Sequence, residues 1–73
     1  MNIGEAIKTL RRGGRVARCG WNGKNMWLRL VDPTERDRAE YVEMRTAGSL
    51  MVPWVCSQSD LLATDWVEVI DAP

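Results

Sequence analysis

The sequence predicts a small α+β domain: an antiparallel β-sheet with an N-terminal helix and a short second helix near the C-terminus. It is read as a single domain over residues 1–73. Three observations carry the expectation. Seventy-three residues suffice for one core and no more. The first ten positions repeat apolar residues at helical spacing, whereas most later segments alternate at strand spacing. Clusters of Gly, Pro, Asn and Ser separate these segments. A helix, then runs of strands broken by one helical turn, suit a sheet with helices on one face.

Each element has its own signal. Ile3, Ala6, Ile7 and Leu10 form one apolar stripe. Asn2 is an N-cap, and Glu5 completes a capping box three residues on. Arg11 and Arg12 suit the negative end of the helix dipole, and Gly13-Gly14 ends the helix. Residues 15–18 read as a short strand. Residues 19–25 form a turn around Asn22-Gly23, a pair that tolerates positive φ. Residues 26–31 make the second strand, with Met26, Leu28 and Leu30 on its apolar face. Residues 32–40 carry Pro33 and five charges before Glu40 and read as a loop. Residues 41–46 make the third strand, with Val42 and Met44 inward. Ala47-Gly48-Ser49 turns the chain into a fourth strand at 50–55. Pro53 cannot donate to a ladder, so this strand lies at an edge or ends there. Ser57 caps a helix at 58–63 with Asp60 at its third position, and residues 66–70 close the sheet.

Composition excludes several functions. Ten basic and ten acidic residues cancel, so no DNA or RNA polymer is expected as a partner. Arg11, Arg12, Arg15 and Arg18 crowd into eight positions, either as a solvated helix end and strand edge or as a small anion site. There is no histidine and no CxxC pair, so neither metal nor other cofactor is expected. Cys19 and Cys56 read as small buried apolar residues. The first ten residues hold no apolar leader, and no run is long enough to span a membrane, which makes the cytoplasm the expected compartment. A core this small supplies only about 3–5 kcal/mol, so self-association is expected. No enzyme is expected either. A histidine base is missing, capping accounts for Ser57, and Asp60 and Asp65 read as a helix cap and a turn.

Four tryptophans with no phenylalanine is the unusual feature. Trp21 precedes the Asn22-Gly23 turn, either folded back over the sheet or offered to a ligand. Asn22 and Lys24 beside it bring donors suited to phosphate or ribose oxygens. Trp54 stands before Ser57-Gln58-Ser59-Asp60, which is either an ordinary capped turn or a ligand site at a helix N-terminus. There Asp60 would repel a bare phosphate and favour ribose hydroxyls or a base edge. Trp27 and Trp66 lie within strands, where packing or a subunit contact is expected.

The opening Met1-Asn2-Ile3-Gly4-Glu5-Ala6, the Gly20-Trp21-Asn22-Gly23-Lys24 turn and the segment running from Val52-Pro53-Trp54 through Ser57-Gln58-Ser59-Asp60 to Asp65-Trp66 resemble the Thoeris anti-defence two family. These are small phage and prophage proteins. The resemblance implies a sponge that binds and sequesters cyclic ADP-ribose-type signals, such as glycocyclic ADP-ribose, without degrading them. Such signals come from bacterial TIR-domain defence proteins in the host cytoplasm, and their removal keeps the Thoeris effector off. Some relatives also hold cyclic oligonucleotides at a separate site. The resemblance further implies a homotetramer with pockets between subunits. Carried over residue by residue, the ligand-binding positions are Trp21, Asn22, Gly23, Lys24, Trp54, Ser57, Gln58 and Asp60, with the two motifs expected to meet across a subunit interface. Two departures stand out: the 32–40 segment is short for the family, and Cys56 replaces a smaller residue before the serine. The alternative reading is a protein-interaction module that inhibits a host partner through an exposed tryptophan patch.

Overall fold

A computed structural model of the chain describes residues 1–34 and 36–70. Helix α1 (Ile3–Arg11) leads into β1 (Arg15–Arg18) and β2 (Trp27–Val31). Strands β3 (Tyr41–Arg45) and β4 (Met51–Pro53) follow, then helix α2 (Gln58–Leu62) and β5 (Trp66–Val69). The five strands form one sheet in the order β4-β3-β2-β1-β5, antiparallel throughout. This is the expected α+β architecture, with strands and helices within a residue or two of their predicted bounds, the largest trimming being at β4.

Local chemistry explains α1. Asn2 Oδ1 accepts the Glu5 N–H, and Glu5 Oε1 accepts the Asn2 N–H, each at 2.9 Å, so the capping box is reciprocal. Ala6, Thr9 and Leu10 are buried. The Thr9 hydroxyl is satisfied by donating to the Glu5 carbonyl at 3.2 Å. The glycine doublet has two separate causes. Gly13 takes φ 88°, which ends the helix cheaply. Gly14 lies so close to Thr9 that a Cβ would come within 2.8 Å of Thr9 Cγ2.

Register divides the sheet into two faces. Val16 opposes Leu28, Leu28 opposes Met44 and Met44 opposes Val52, giving one apolar row beneath α1. Arg18 and Trp66 oppose each other on this same face. On the other face Trp27 opposes Arg45, and Arg45 opposes Met51. Strands β4 and β5 are opposite edges, so residues 54–65 must carry the chain across the helix-bearing face, with α2 touching α1 on the way. That crossing brings Trp54 and α2 over Trp66.

Several expectations change. Neither Asn22 nor Gly23 has positive φ; Asn25 does, at 60°, and residues 19–26 form a long connection rather than a tight hairpin. Strand β4 is only three residues long. It ends at Pro53 on the sheet edge, as the missing donor requires, while Leu50 belongs to the preceding turn. That turn closes by Thr46 N–H to Leu50 O at 2.8 Å, with Ser49 at φ 69°. Cys19 and Cys56 are both exposed free thiols, not buried apolar residues, because each sits in a connection outside the strands. The arginine cluster disperses: Arg11 pairs with Glu40, Arg12 with Glu68, and Arg18 with two aspartates, while Arg15 lies over the Trp27 ring. Within the 32–40 loop, Glu35 lies outside the described residues, and the others form no strand or helix. No helix among the described residues is long and apolar enough to cross a membrane.

Candidate functional site

The site is built around Trp66. Its ring is 1% exposed, and its N–H donates to the Asp60 carbonyl at 3.0 Å. Trp21 meets it edge-on at 5.5 Å between ring centroids, with the planes at 80°. Trp54 meets it at 5.9 Å and 88°. Such edge-to-face pairs contribute about 0.5–1.5 kcal/mol each beyond burial. Trp21 comes from the connection after β1 and Trp54 from the crossing after β4. The two motifs therefore meet within one chain, on the third tryptophan, rather than needing a second subunit to join them.

Charge locks the same cluster. Arg18 lies at the end of β1 on the helix-bearing face, where a strand residue would normally be apolar. Its Nε donates to Asp65 Oδ1 and its Nη1 to Asp60 Oδ1, both at 2.8 Å. Asp65 Oδ2 also accepts the Gly20 N–H at 3.0 Å, and the Asp65 carbonyl accepts the Cys19 N–H at 3.1 Å. One aspartate thus ties the loop carrying Trp21 to the start of β5.

The ionisation of the group follows. Hydrogen bonding to Asp65 first, then to Asp60, raises the Arg18 pKa, so its charge is secure. The Arg18 hydrogen bond, supported by the Gly20 N–H, holds Asp65 below the ordinary carboxylate value against the effect of partial burial. For Asp60, burial pushes upward most strongly. The Arg18 bond and charge, with the side chains of Ser57 and Trp21, outweigh it and leave the pKa lowered. Although Cys56 is exposed as a residue, partial desolvation of its thiol against the apolar lining around Trp54, then the Asp60 charge, pushes it up, away from thiolate reactivity.

The eight expected site residues fall into two groups. Trp21, Gly23, Trp54, Ser57 and Asp60 are held in place by packing or by hydrogen bonds within the chain. Gly23 is packed so tightly that a Cβ would collide with Met26 and come within 2.9 Å of the Ala47 Cβ. Ser57 Oγ accepts the Asp60 N–H at 3.1 Å and its carbonyl accepts the Leu61 N–H at 2.9 Å. The Asp60 carboxylate turns to Arg18, so α2, five residues long, offers no anion site at its start. Asn22, Lys24 and Gln58 form the second group. They are exposed, and their side chains hold no hydrogen bond or ion pair among the described residues. These are the donors left available.

Sequence reasoning underrated Arg18, Asp65 and Trp66. The signal for Arg18 was its position two residues after Val16, on the core-facing side of a four-residue strand. A charge there demands carboxylate partners.

Beside the cluster, between α1 and the sheet, lies a wholly apolar cavity of about 190 Å³. Ile3, Ile7, Leu10, Trp54, Cys56 and Leu61 are among its walls. It has nothing to recognise a polar ligand.

Fold and site together define a class: a small antiparallel α+β domain carrying a charge-locked tryptophan cluster, with exposed donors in the segments that supply two of its rings. Residues 1–69 match the family model of the Thoeris anti-defense 2-like domain, and the chain belongs to that family. A protein of Bacillus phage SP01 named Thoeris anti-defense 2 is 40% identical over 81 residues, an alignment covering 90% of this chain and 91% of that relative.

Proposed function

We propose that this single-domain protein is a phage anti-defence sponge. It binds a cyclic ADP-ribose-type immune signal, such as glycocyclic ADP-ribose, in the bacterial host cytoplasm and holds it intact, so the Thoeris effector is not activated. The family membership points to the Thoeris pathway. The observation that carries the binding reading is that half-buried Trp21 and Trp54 converge on Trp66, while Asn22, Lys24 and Gln58 of the same two motifs are exposed and unengaged among the described residues. An indole face suits a purine, and amide and ammonium donors suit ribose and phosphate oxygens. A cyclic oligonucleotide is a second candidate ligand of the same chemistry.

Nothing in the cluster is poised for turnover. Both aspartates are committed to Arg18, the Cys56 thiol is pushed up, and the chain has no histidine. A sponge acts by stoichiometry and needs tight binding: a Kd near 1 nM requires about −12 kcal/mol. Stacking supplies about 1–3 kcal/mol per base, so a rim of hydrogen bonds and a second subunit closing the site would supply the rest. The apolar cavity beside Trp54 and the exposed Ile7 and Leu61 at its margin favour association with further copies, as a homotetramer.

Native mass spectrometry of the protein against cyclic ADP-ribose isomers and cyclic dinucleotides tests the proposal. The expected result is a complex from which heat denaturation releases the ligand unchanged, with binding weakened on the order of tenfold in each of Lys24→Ala and Gln58→Ala. A cleaved product would point to an enzyme. Absence of any nucleotide complex, with a host protein retained instead, would favour the interaction-module reading, for which the exposed Val55 and Leu62 provide apolar surface.

A further inference from the structure

The face of the sheet turned away from α1 is unfinished in a specific way. Trp27 is buried on it, yet its indole N–H has no acceptor among the described residues. Trp27 is not part of the core cluster around Trp66, and the β2–β3 register sets it opposite Arg45. The Arg15 guanidinium lies over the Trp27 ring, 4.8 Å from its centroid. Arg15 has no carboxylate partner among the described residues. Arg45 spends its guanidinium on neutral groups, the Asn25 carbonyl at 2.8 Å and the Ser49 hydroxyl at 2.9 Å.

Strand alternation assigns the charges of this face. Arg15, Arg29 and Arg45 belong to it, and so does Glu43, which pairs with Arg29. Three arginines against one glutamate leave two positive charges uncompensated, on either side of an unpaired donor. A chain of zero net charge thus concentrates a local surplus here. A buried N–H without an acceptor is costly, and the Arg15 side chain over the ring, which has no carboxylate partner among the described residues, is the group that can turn to share an anion with it.

We propose that this face binds an oxyanion of the phosphate or carboxylate kind. The Trp27 N–H and the Arg15 guanidinium donate to it directly, after Arg15 swings off the ring, and Arg45 contributes long-range charge. The oxyanion supplies the acceptor that the Trp27 N–H lacks, and the Arg15 guanidinium adds a charge-assisted bond to it. The site is independent of the Trp21–Trp54 cluster, which lies on the opposite face and uses none of these residues.

Nitrogen–proton correlation spectra of the intact protein test it, because the four tryptophans give four indole signals. Inorganic phosphate and acetate are titrated separately, with sodium chloride as the ionic-strength control. The expected result is a saturable downfield movement of the Trp27 indole signal with one of the two anions, the other three signals moving far less. The anion that saturates identifies phosphate or carboxylate chemistry. In Arg15→Gln the affinity falls on the order of tenfold or more while backbone dispersion is kept. Arg15→Lys, which keeps the charge but not the fork, recovers part of it. A Trp27 signal unmoved by either anion overturns the proposal. So does movement that is linear and matched by chloride, which means an adventitious ion only, or full affinity in Arg15→Gln.

Discussion

Trp66 and Trp27 are both buried, both start a strand, and lie on opposite faces of one sheet, yet their surroundings differ in kind. Trp66 has its N–H satisfied by Asp60 O and its ring bracketed by Trp21 and Trp54. Trp27 has an unpaired N–H and a cation for a lid. The helix-bearing face is closed by the chain's own crossing, residues 54–65. Among the described residues no helix covers the other face, and its buried donor finds no acceptor there. A single-layer sheet with helices on one side can complete only one of its two faces.

Breaking Trp66 should have the largest effect. Trp66→Ala removes both ring contacts and the bond to Asp60, a loss of about 3–5 kcal/mol. A core of this size supplies about as much in total. The variant is expected to be largely unfolded at 25 °C by far-ultraviolet circular dichroism; a cooperative melt near that of the parent would refute the central role given to this ring.

Gly23→Ala should come next, at about 1–3 kcal/mol, since the new methyl must displace Met26 and Ala47. Urea unfolding midpoints measure it. An unchanged midpoint would mean the loop can shift freely, and Gly23 would return to being a candidate for direct ligand contact.

Arg18→Met probes the charge lock through pH. Asp60 and Asp65 have lowered pKa values in the folded state, so their contribution is present above the ordinary value of 3.8 and is lost as pH falls through the lowered folded values. The parent melting temperature should therefore hold from neutral pH to about 5 and drop steeply below about 4. In Arg18→Met the neutral-pH melting temperature is lower, because two aspartates lose their partner, and the acid drop is shallower. Parallel melting curves for the two proteins across the acid range would show that the pairing contributes nothing.

Trp27→Phe should have the smallest effect and sharpens the contrast most. It removes the orphan donor along with some apolar area, and stability should stay within about 1 kcal/mol of the parent. Trp66→Phe, which gives up the indole bond to the Asp60 carbonyl and reshapes the fully buried centre of the cluster, should cost more. Equal losses at the two positions would mean that Trp27 has a partner after all.

Much of this was legible from residue order. The reciprocal Asn2–Glu5 cap needs only neighbours three apart, and it formed as expected. The alternation of Leu28, Leu30, Val42 and Met44 set the inner face because side chains on a strand alternate strictly. Pro53 marked an edge by its missing donor. Less legible was the turn after β1. The Asn22-Gly23 pair suggested a two-residue hairpin, but Asp65, 45 positions from Gly20, holds the loop open and passes the positive φ to Asn25.

Sequence alone determined the α+β class, the order and approximate bounds of the elements, and the resemblance to an anti-defence family. Those features rest on interactions between near neighbours and on residue type. Only the tertiary structure decided that β5 pairs with β1 across the sheet from β4, and that the crossing sets Trp54 and Trp21 on Trp66. It also turned Arg18 from one of four clustered cations into the bridge between Asp60 and Asp65, and left the Trp27 N–H without an acceptor among the described residues. Each depends on contacts between residues far apart in the chain, from 12 positions for Trp54 and Trp66 to more than 40 for Arg18 and its aspartates, or on a face that no helix among the described residues covers, and the physics of neighbouring residues carries no information about either.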